Sequence, residues 1–111
     1  MSLNPRTNKP LKPPKVYAAN LLSARSYSVE GLRRKLDMKG YDEEEIDATV
    51  DFFTEMGYLD DEKYALALAA RYTRKGFDRW RVTAELRKRG IDRETAADAL
   101  NALEEENNED I

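Results

Sequence analysis

Ser26-Tyr27-Ser28, Leu32, Leu36, Gly40, Tyr41 and Asp42 return fifty positions later as Gly76-Phe77-Asp78, Val82, Leu86, Gly90, Ile91 and Asp92. The correspondence runs on through Ile46 with Ala96, Val50 with Leu100, Phe53 with Leu103 and Gly57 with Asn107. The shared positions are apolar or helix-ending, so what was duplicated is a fold. Repeats of this length are supersecondary units that bury their apolar faces against neighbours, which places function on a surface and not in an enclosed pocket.

Helical punctuation divides each copy. Four of the five glycines, Gly40, Gly57, Gly76 and Gly90, follow stretches of helical period, where a left-handed residue ends a helix. Ser28, Asp42, Asp60 or Asp61, Asp78 and Asp92 stand just before apolar runs and can accept hydrogen bonds from open helix N–H groups. The spacing predicts helices near 16–25, 29–39, 43–56, 61–74, 79–89 and 93–106, three per repeat. The predicted core stripes are Leu32 and Leu36; Ile46, Val50 and Phe53; Tyr64, Leu68 and Tyr72; Val82 and Leu86; Ala96, Leu100 and Leu103. Tyr27 and Phe77, next to their caps, can staple each second helix to its unit. The last helix carries Ala96, Ala97, Ala99 and Ala102, which either allow close helix approach or mark a face awaiting another element.

The expected organisation is a basic, proline-rich disordered arm at 1–14, one three-helix repeat at 15–57, a second at 58–106, and an acidic polar tail at 107–111. All four prolines fall in the arm, beside Arg6, Lys9 and Lys12, where no apolar period exists to bury.

Composition narrows function. With no cysteine and no histidine, the chain lacks disulfides, thiolate zinc sites and the commonest general base. The expected compartment is a reducing cytosol. No apolar run approaches the roughly 20 residues that span a bilayer, and Met1 to Pro14 lacks the apolar block of a secretory signal. No phosphate loop, nucleophile elbow or catalytic carboxylate pair can be placed, and neither a cofactor nor a small-molecule substrate is expected. Asp42-Glu43-Glu44-Glu45 with Asp47 diverge around a helix without a calcium loop, and Asp60-Asp61-Glu62 is explained by capping. The reading is therefore a non-enzymatic protein that works by contact.

The net charge of −3 conceals four blocks: +7 over residues 1–40, −10 over 41–62, +7 over 63–93 and −7 over 94–111. Blocks this pure either form separate faces, one of them attractive to polyanions or acidic protein patches, or let each basic helix neutralise the acidic helix beside it. Part of the segregation is helix chemistry. Glu43, Glu44 and Glu45 sit at the positive end of a helix dipole, and Arg87, Lys88 and Arg89 at a negative one.

The contact candidates are Arg33, Arg34, Lys35 and Lys39 in the first repeat and Arg79, Trp80, Arg81, Arg87, Lys88 and Arg89 in the second. At 100° per residue, Val82 and Leu86 lie about 200° and 240° from Trp80, so the indole leaves its helix's core stripe and shares a side with Ala84, Arg87 and Lys88. An aromatic among cations suits a protein interface or a stacked base beside phosphate. The bland alternative is that Trp80 packs on Tyr72 or the preceding turn.

Leu21-Leu22-Ser23-Ala24-Arg25-Ser26-Tyr27-Ser28, Leu32-Arg33-Arg34-Lys35-Leu36, Lys39-Gly40-Tyr41 and Gly57-Tyr58-Leu59-Asp60-Asp61-Glu62-Lys63-Tyr64-Ala65 resemble the RecX family of bacterial recombinase regulators. Arg74-Lys75-Gly76-Phe77, Val82, Glu85-Leu86 and Lys88-Arg89-Gly90-Ile91-Asp92 are similar to that family's following motif, so the resemblance covers about residues 17–103. It implies an elongated, curved, all-α protein of tandem three-helix repeats. Such a protein would bind the filament of a RecA-type recombinase without chemistry and restrain strand exchange, ATP turnover, DNA repair and the SOS response. Binding to single- or double-stranded DNA is also implied. Two departures stand out. Family members usually carry a third repeat, which implies a shorter reach here, and Gly31 stands where the family tends to place the Glu of a capping box. Two alternatives remain at this point: a helical DNA-binding module acting without the recombinase, and a helical adaptor recognising another protein through its alanine-rich last helix.

Overall fold

The computed structural model describes residues 12–109, with side chains as far as 106. The expected arm therefore lies outside the described residues up to residue 11, as do the side chains of the 107–111 tail. Among the described residues there are six helices and no strand: α1 (Pro14–Ala24), α2 (Val29–Lys39), α3 (Glu43–Glu55), α4 (Asp61–Arg74), α5 (Arg79–Lys88) and α6 (Arg93–Glu109). The chain is all-α, and its contacts fall into two compact three-helix units that divide between Leu59 and Asp60.

Local chemistry sets the helix ends. Ser28 Oγ accepts from the Gly31 amide at 2.9 Å and Asp78 Oδ1 from the Arg81 amide at 2.9 Å, so equivalent caps open α2 and α5. At the far ends Gly40 and Gly90 adopt φ of 108° and 91°, a left-handed conformation that glycine reaches without a Cβ penalty. Each turn folds the next residue back: the Tyr41 amide donates to the Leu36 carbonyl at 3.2 Å and the Ile91 amide to the Leu86 carbonyl at 3.0 Å. Both Tyr41 and Ile91 are thereby delivered into a core. A capping box opens α3, where Asp42 Oδ1 accepts from the Glu45 amide at 2.9 Å and Glu45 Oε1 from the Asp42 amide at 3.0 Å. Gly31 forgoes such a box, and a Cβ there would stand 3.0 Å from Ser28 Oγ, so the bare backbone leaves room for the cap.

The prolines divide differently from the expected arm. Pro13 caps α1 and Pro14 is its first residue, where a missing N–H removes no helical bond. Lys12 is held as well, because the Tyr41 hydroxyl donates to its carbonyl at 2.8 Å. Burial, with lesser contributions from Glu45 and Tyr17, raises the Tyr41 pKa and keeps that donor protonated.

In the first unit Leu32, Leu36, Ile46, Val50 and Phe53 pack with Ala18 and Leu59. In the second, Val82, Leu86, Ala96 and Leu100 pack with Ala65, Leu68 and Tyr72. Tyr64 and Leu103 of the predicted stripes are only partly buried, at the edge of this second cluster. Each large aliphatic side chain removed from water contributes about 1.5–3 kcal/mol. Phe77 stacks on Tyr72 with ring centroids 5.0 Å apart and planes 12° from parallel, fastening the start of α5 to the end of α4. Ala96 and Ala99 are buried in this core and serve packing within their own unit, whereas Ala97 is half-buried and Ala102 exposed.

Leu86 is fully buried, whereas Met38 is 79% exposed. Leu86→Ala is expected to lower stability by about 2–5 kcal/mol. Met38→Ala should change it by less than about 0.5 kcal/mol, both read from urea denaturation followed by circular dichroism.

The Asp92 carboxylate caps α6 by accepting from the Thr95 amide at 2.7 Å. That bond, then one from the Thr95 side chain, lowers its pKa below the usual aspartate value against slight desolvation, with Arg87 assisting. A depressed carboxylate stabilises the fold above its unfolded pKa, and the contribution disappears as pH falls through the lower, folded value. Asp92→Asn should therefore be less stable than the parent at neutral pH. The gap should close on acidification, as measured by urea midpoints across the acid range.

Candidate interaction surface

The duplicated fold makes the same open cleft twice. In the second unit it is lined by Arg79, Trp80, Thr83, Ala84, Arg87 and Arg93 and holds about 610 Å³. In the first it is lined by Glu30, Arg33, Arg34, Asp37, Glu43 and Ile46 and holds about 250 Å³. Five positions correspond through the fifty-residue offset: Glu30 with Trp80, Arg33 with Thr83, Arg34 with Ala84, Asp37 with Arg87, and Glu43 with Arg93. The backbone provides the recess, and the side chains give the two copies opposite character. Three carboxylates in the first unit stand where the second has an indole and two guanidiniums.

Trp80 is 86% exposed. It does not pack on Tyr72, whose ring face is taken by Phe77. Four of the lining residues, Trp80, Thr83, Ala84 and Arg87, fall at i, i+3, i+4 and i+7 of α5, a single stripe. Thr83 and Ala84 are small enough to leave space beside the indole, and the tight α5–α6 turn adds Arg93 from the first turn of α6. Arg79 is held at one wall, 2.6 Å from Glu104 Oε1 and 3.0 Å from Asn101 Oδ1. Among the described residues Arg87 and Arg93 form no ion pair.

The remaining cations are differently placed. Arg33 reaches across from α2 to Asp47 of α3 at 2.7 Å, and Arg34 lies 3.4 Å from Glu30 one turn earlier. Lys88 lies 3.6 Å from Glu85. Exposed pairs of this kind contribute at most about 1 kcal/mol and leave their charges accessible to a partner. Lys35 is exposed. Lys39 sits over the Tyr17 ring at 5.2 Å and Arg81 over the Phe77 ring at 3.7 Å. Arg89 turns inward, donating from Nη2 to the Tyr72 hydroxyl at 2.7 Å. Burial by itself would lower the Arg89 pKa, but the bond to Tyr72 and the nearby Tyr72 and Tyr64 phenols outweigh it, and the net shift is upward.

Internal neutralisation and open cationic surface therefore coexist: Arg33 and Arg79 meet carboxylates of the neighbouring acidic helix, while Lys35, Arg87 and Arg93 face solvent. The sequence reading put Trp80 and Arg87 on one side of α5 but missed Arg93, which reaches them only through a tertiary turn. Its signal was the repeat itself, since aligning Glu43 with Arg93 exposes the charge inversion. Among the described residues no three carboxylates come together as a metal site, and no helix is long and apolar enough to cross a membrane.

This arrangement defines a class: a tandem of three-helix domains that presents charged and aromatic side chains on open surface. The family follows from comparison with known proteins. The first three-helix domain of RecX matches residues 15–53 and the second matches residues 60–100, so the chain belongs to the RecX family. It is similar to the regulatory protein RecX of Pectobacterium atrosepticum, 36% identical over 110 residues that cover 85% of this chain and 65% of that one. It is 38% identical to the Salmonella paratyphi A protein of the same name over 97 residues, covering 78% and 58%. The crystal structure of RecX from Lactobacillus salivarius shares the fold, with a TM-score of 0.77 at 22% identity over 80% of this chain and 58% of that one. The chain thus spans about three fifths of the length of these relatives.

Arg89→Ala is expected to destabilise the second unit by about 1–2 kcal/mol, because it removes a charged donor from the Tyr72 hydroxyl. Arg87→Ala, in open solvent, should stay within about 0.5 kcal/mol of the parent in the same urea titration.

Proposed function

We propose that this chain is a non-enzymatic, cytoplasmic regulator that binds the filament of a RecA-type recombinase on DNA and restrains its activity, and with it recombination, DNA repair and the SOS response. The observation that carries this reading is the match of both three-helix domains, in order, to a family whose curated members are named regulatory proteins. The physical surface supports it. Cationic and acidic side chains alternate along the repeats, and a filament offers a periodic, charged groove against which repeated units can register.

The contacts assigned to this role are the exposed members of the candidate set, Arg33, Arg34, Lys35, Lys39, Arg79, Trp80, Arg81, Arg87 and Lys88. Arg89 holds the unit together behind them.

Recombinase ATP hydrolysis on single-stranded DNA, measured with increasing amounts of this chain, tests the proposal. Dose-dependent inhibition is expected, and it should weaken when Arg81 and Arg87 are changed together to Glu. Unchanged hydrolysis at saturating amounts of a folded chain would remove the proposal's main consequence. Binding to naked DNA that accounts for the whole effect, with the same affinity whether or not recombinase is polymerised on it, would favour a DNA-binding module acting alone.

A further inference from the structure

The first unit has a further recess, lined by none of the residues of the duplicated clefts. Ala19, Leu22 and Ser23 of α1, Phe53 of α3 and Tyr58 of the following turn enclose about 310 Å³. No charged residue lines it, and the Ser23 hydroxyl already donates to the Asn20 carbonyl at 2.8 Å, so the recess is apolar in effect. Aromatic packing builds one wall: the Phe53 ring meets Phe52 edge-on at 5.0 Å and Tyr58 at 6.2 Å between centroids. Phe52, Met56 and Tyr58 are all left exposed at this end of α3. Exposed Glu44, Asp51 and Glu55 run along α3 at i, i+7 and i+11, a single ridge next to Phe52. None of the three is in an ion pair among the described residues. An apolar hole with an acidic border therefore stands open in the first unit. The second unit carries its converse. Trp80 is 86% exposed, its cleft offers no leucine, isoleucine or valine to shield it, and Arg87 and Arg93 border it. A tryptophan anchors an interface by entering a pocket that excludes water, and the charges at the rim then set which partner is accepted.

We propose that the first-unit recess receives Trp80 of a second copy of this chain, with Arg87 and Arg93 of that copy set against Asp51 and Glu55. Charge selects this pairing. Two acidic ridges brought face to face repel, as do two arginine-bordered clefts, so neither face suits a symmetric contact with itself; recess against indole joins opposite signs. The contact is heterologous. Each copy offers one recess and one indole, so association continues from copy to copy unless a ring closes it. A single aromatic anchor with exposed ion pairs around it makes a small, weak interface, and salt weakens it further. The inference does not rest on the filament reading: it needs neither recombinase nor nucleic acid, and either can fail while the other stands. An indole seated in a second copy is withdrawn from every other partner, so self-association holds that face in reserve.

Trp80 is the only tryptophan in the chain, so its emission reports on this contact alone. Sedimentation equilibrium of the full chain at low salt should give an average mass that rises with concentration, falling back towards the monomer in about 1 M salt. The indole emission should shift to the blue over the same concentration range. Trp80→Ala and Ala19→Lys change exposed positions, so both are expected to keep the parental circular dichroism. Each variant alone should self-associate at least about tenfold more weakly than the parent. Mixed, they should form a pair of one chain of each and nothing larger, because Trp80→Ala keeps the recess and Ala19→Lys keeps the indole; the blue shift returns with that pair. A parent that stays monomeric up to its solubility limit, or a mixture that does not pair, would overturn the proposal. So would a Trp80→Ala variant that associates like the parent, which would point to the apolar end of α3 meeting its own copy. Association that strengthens with salt, or emission that ignores concentration, would overturn it as well.

Discussion

Two side chains one helical turn apart on the middle helix of each unit, Leu32 and Leu36 in the first and Val82 and Leu86 in the second, are fully shielded from water. They tie the other two helices together. Their burial depends on a middle helix that starts and stops in register, which is why a polar cap precedes each pair and a left-handed glycine follows it. The glycine turn then swings Tyr41 or Ile91 back under the same pair. The core thus closes over one short helix from both ends, and the outer surface of that helix is left without structural duty.

That freedom explains the contrast between the units. The residues of α2 and α5 that do not face the core diverge completely while the core pairs persist. In the first unit the outer face carries mixed charge, some of it joined to α3 through Arg33 and Asp47. In the second it carries an indole and guanidiniums, with carboxylate contacts from Arg79 to Glu104 and from Lys88 to Glu85. Exposed ion pairs of this sort contribute little to folding, so their placement is under weak control by stability and open to control by a partner.

Much of this was legible in the residues. The period of Leu32, Leu36, Val82 and Leu86, the capping Ser28, Asp42, Asp78 and Asp92, and the glycines that follow fix α2 and α5 to within a residue, because each signal acts over one or two helical turns. The start of α1 was displaced since proline reads as a helix breaker, whereas Pro14 occupies the one helical turn that tolerates it. The surface was less readable. Periodicity placed Trp80 off the core stripe, but the competition between Trp80 and Phe77 for the Tyr72 face was settled by geometry between α4 and α5. The pairing of Arg79 with Glu104 joins residues 25 apart, and the inward turn of Arg89 joins residues 17 apart; neither has a local signature.

Leu59 is buried in the first unit's core, and the very next residue, Asp60, accepts from the Glu62 and Lys63 amides to open the second unit's first helix. Each module therefore contains its own beginning and its own end. A segment divided between Leu59 and Asp60 keeps a complete set of helix terminators on each side. Each triplet of helices thus carries within its own sequence the stops and starts that define it.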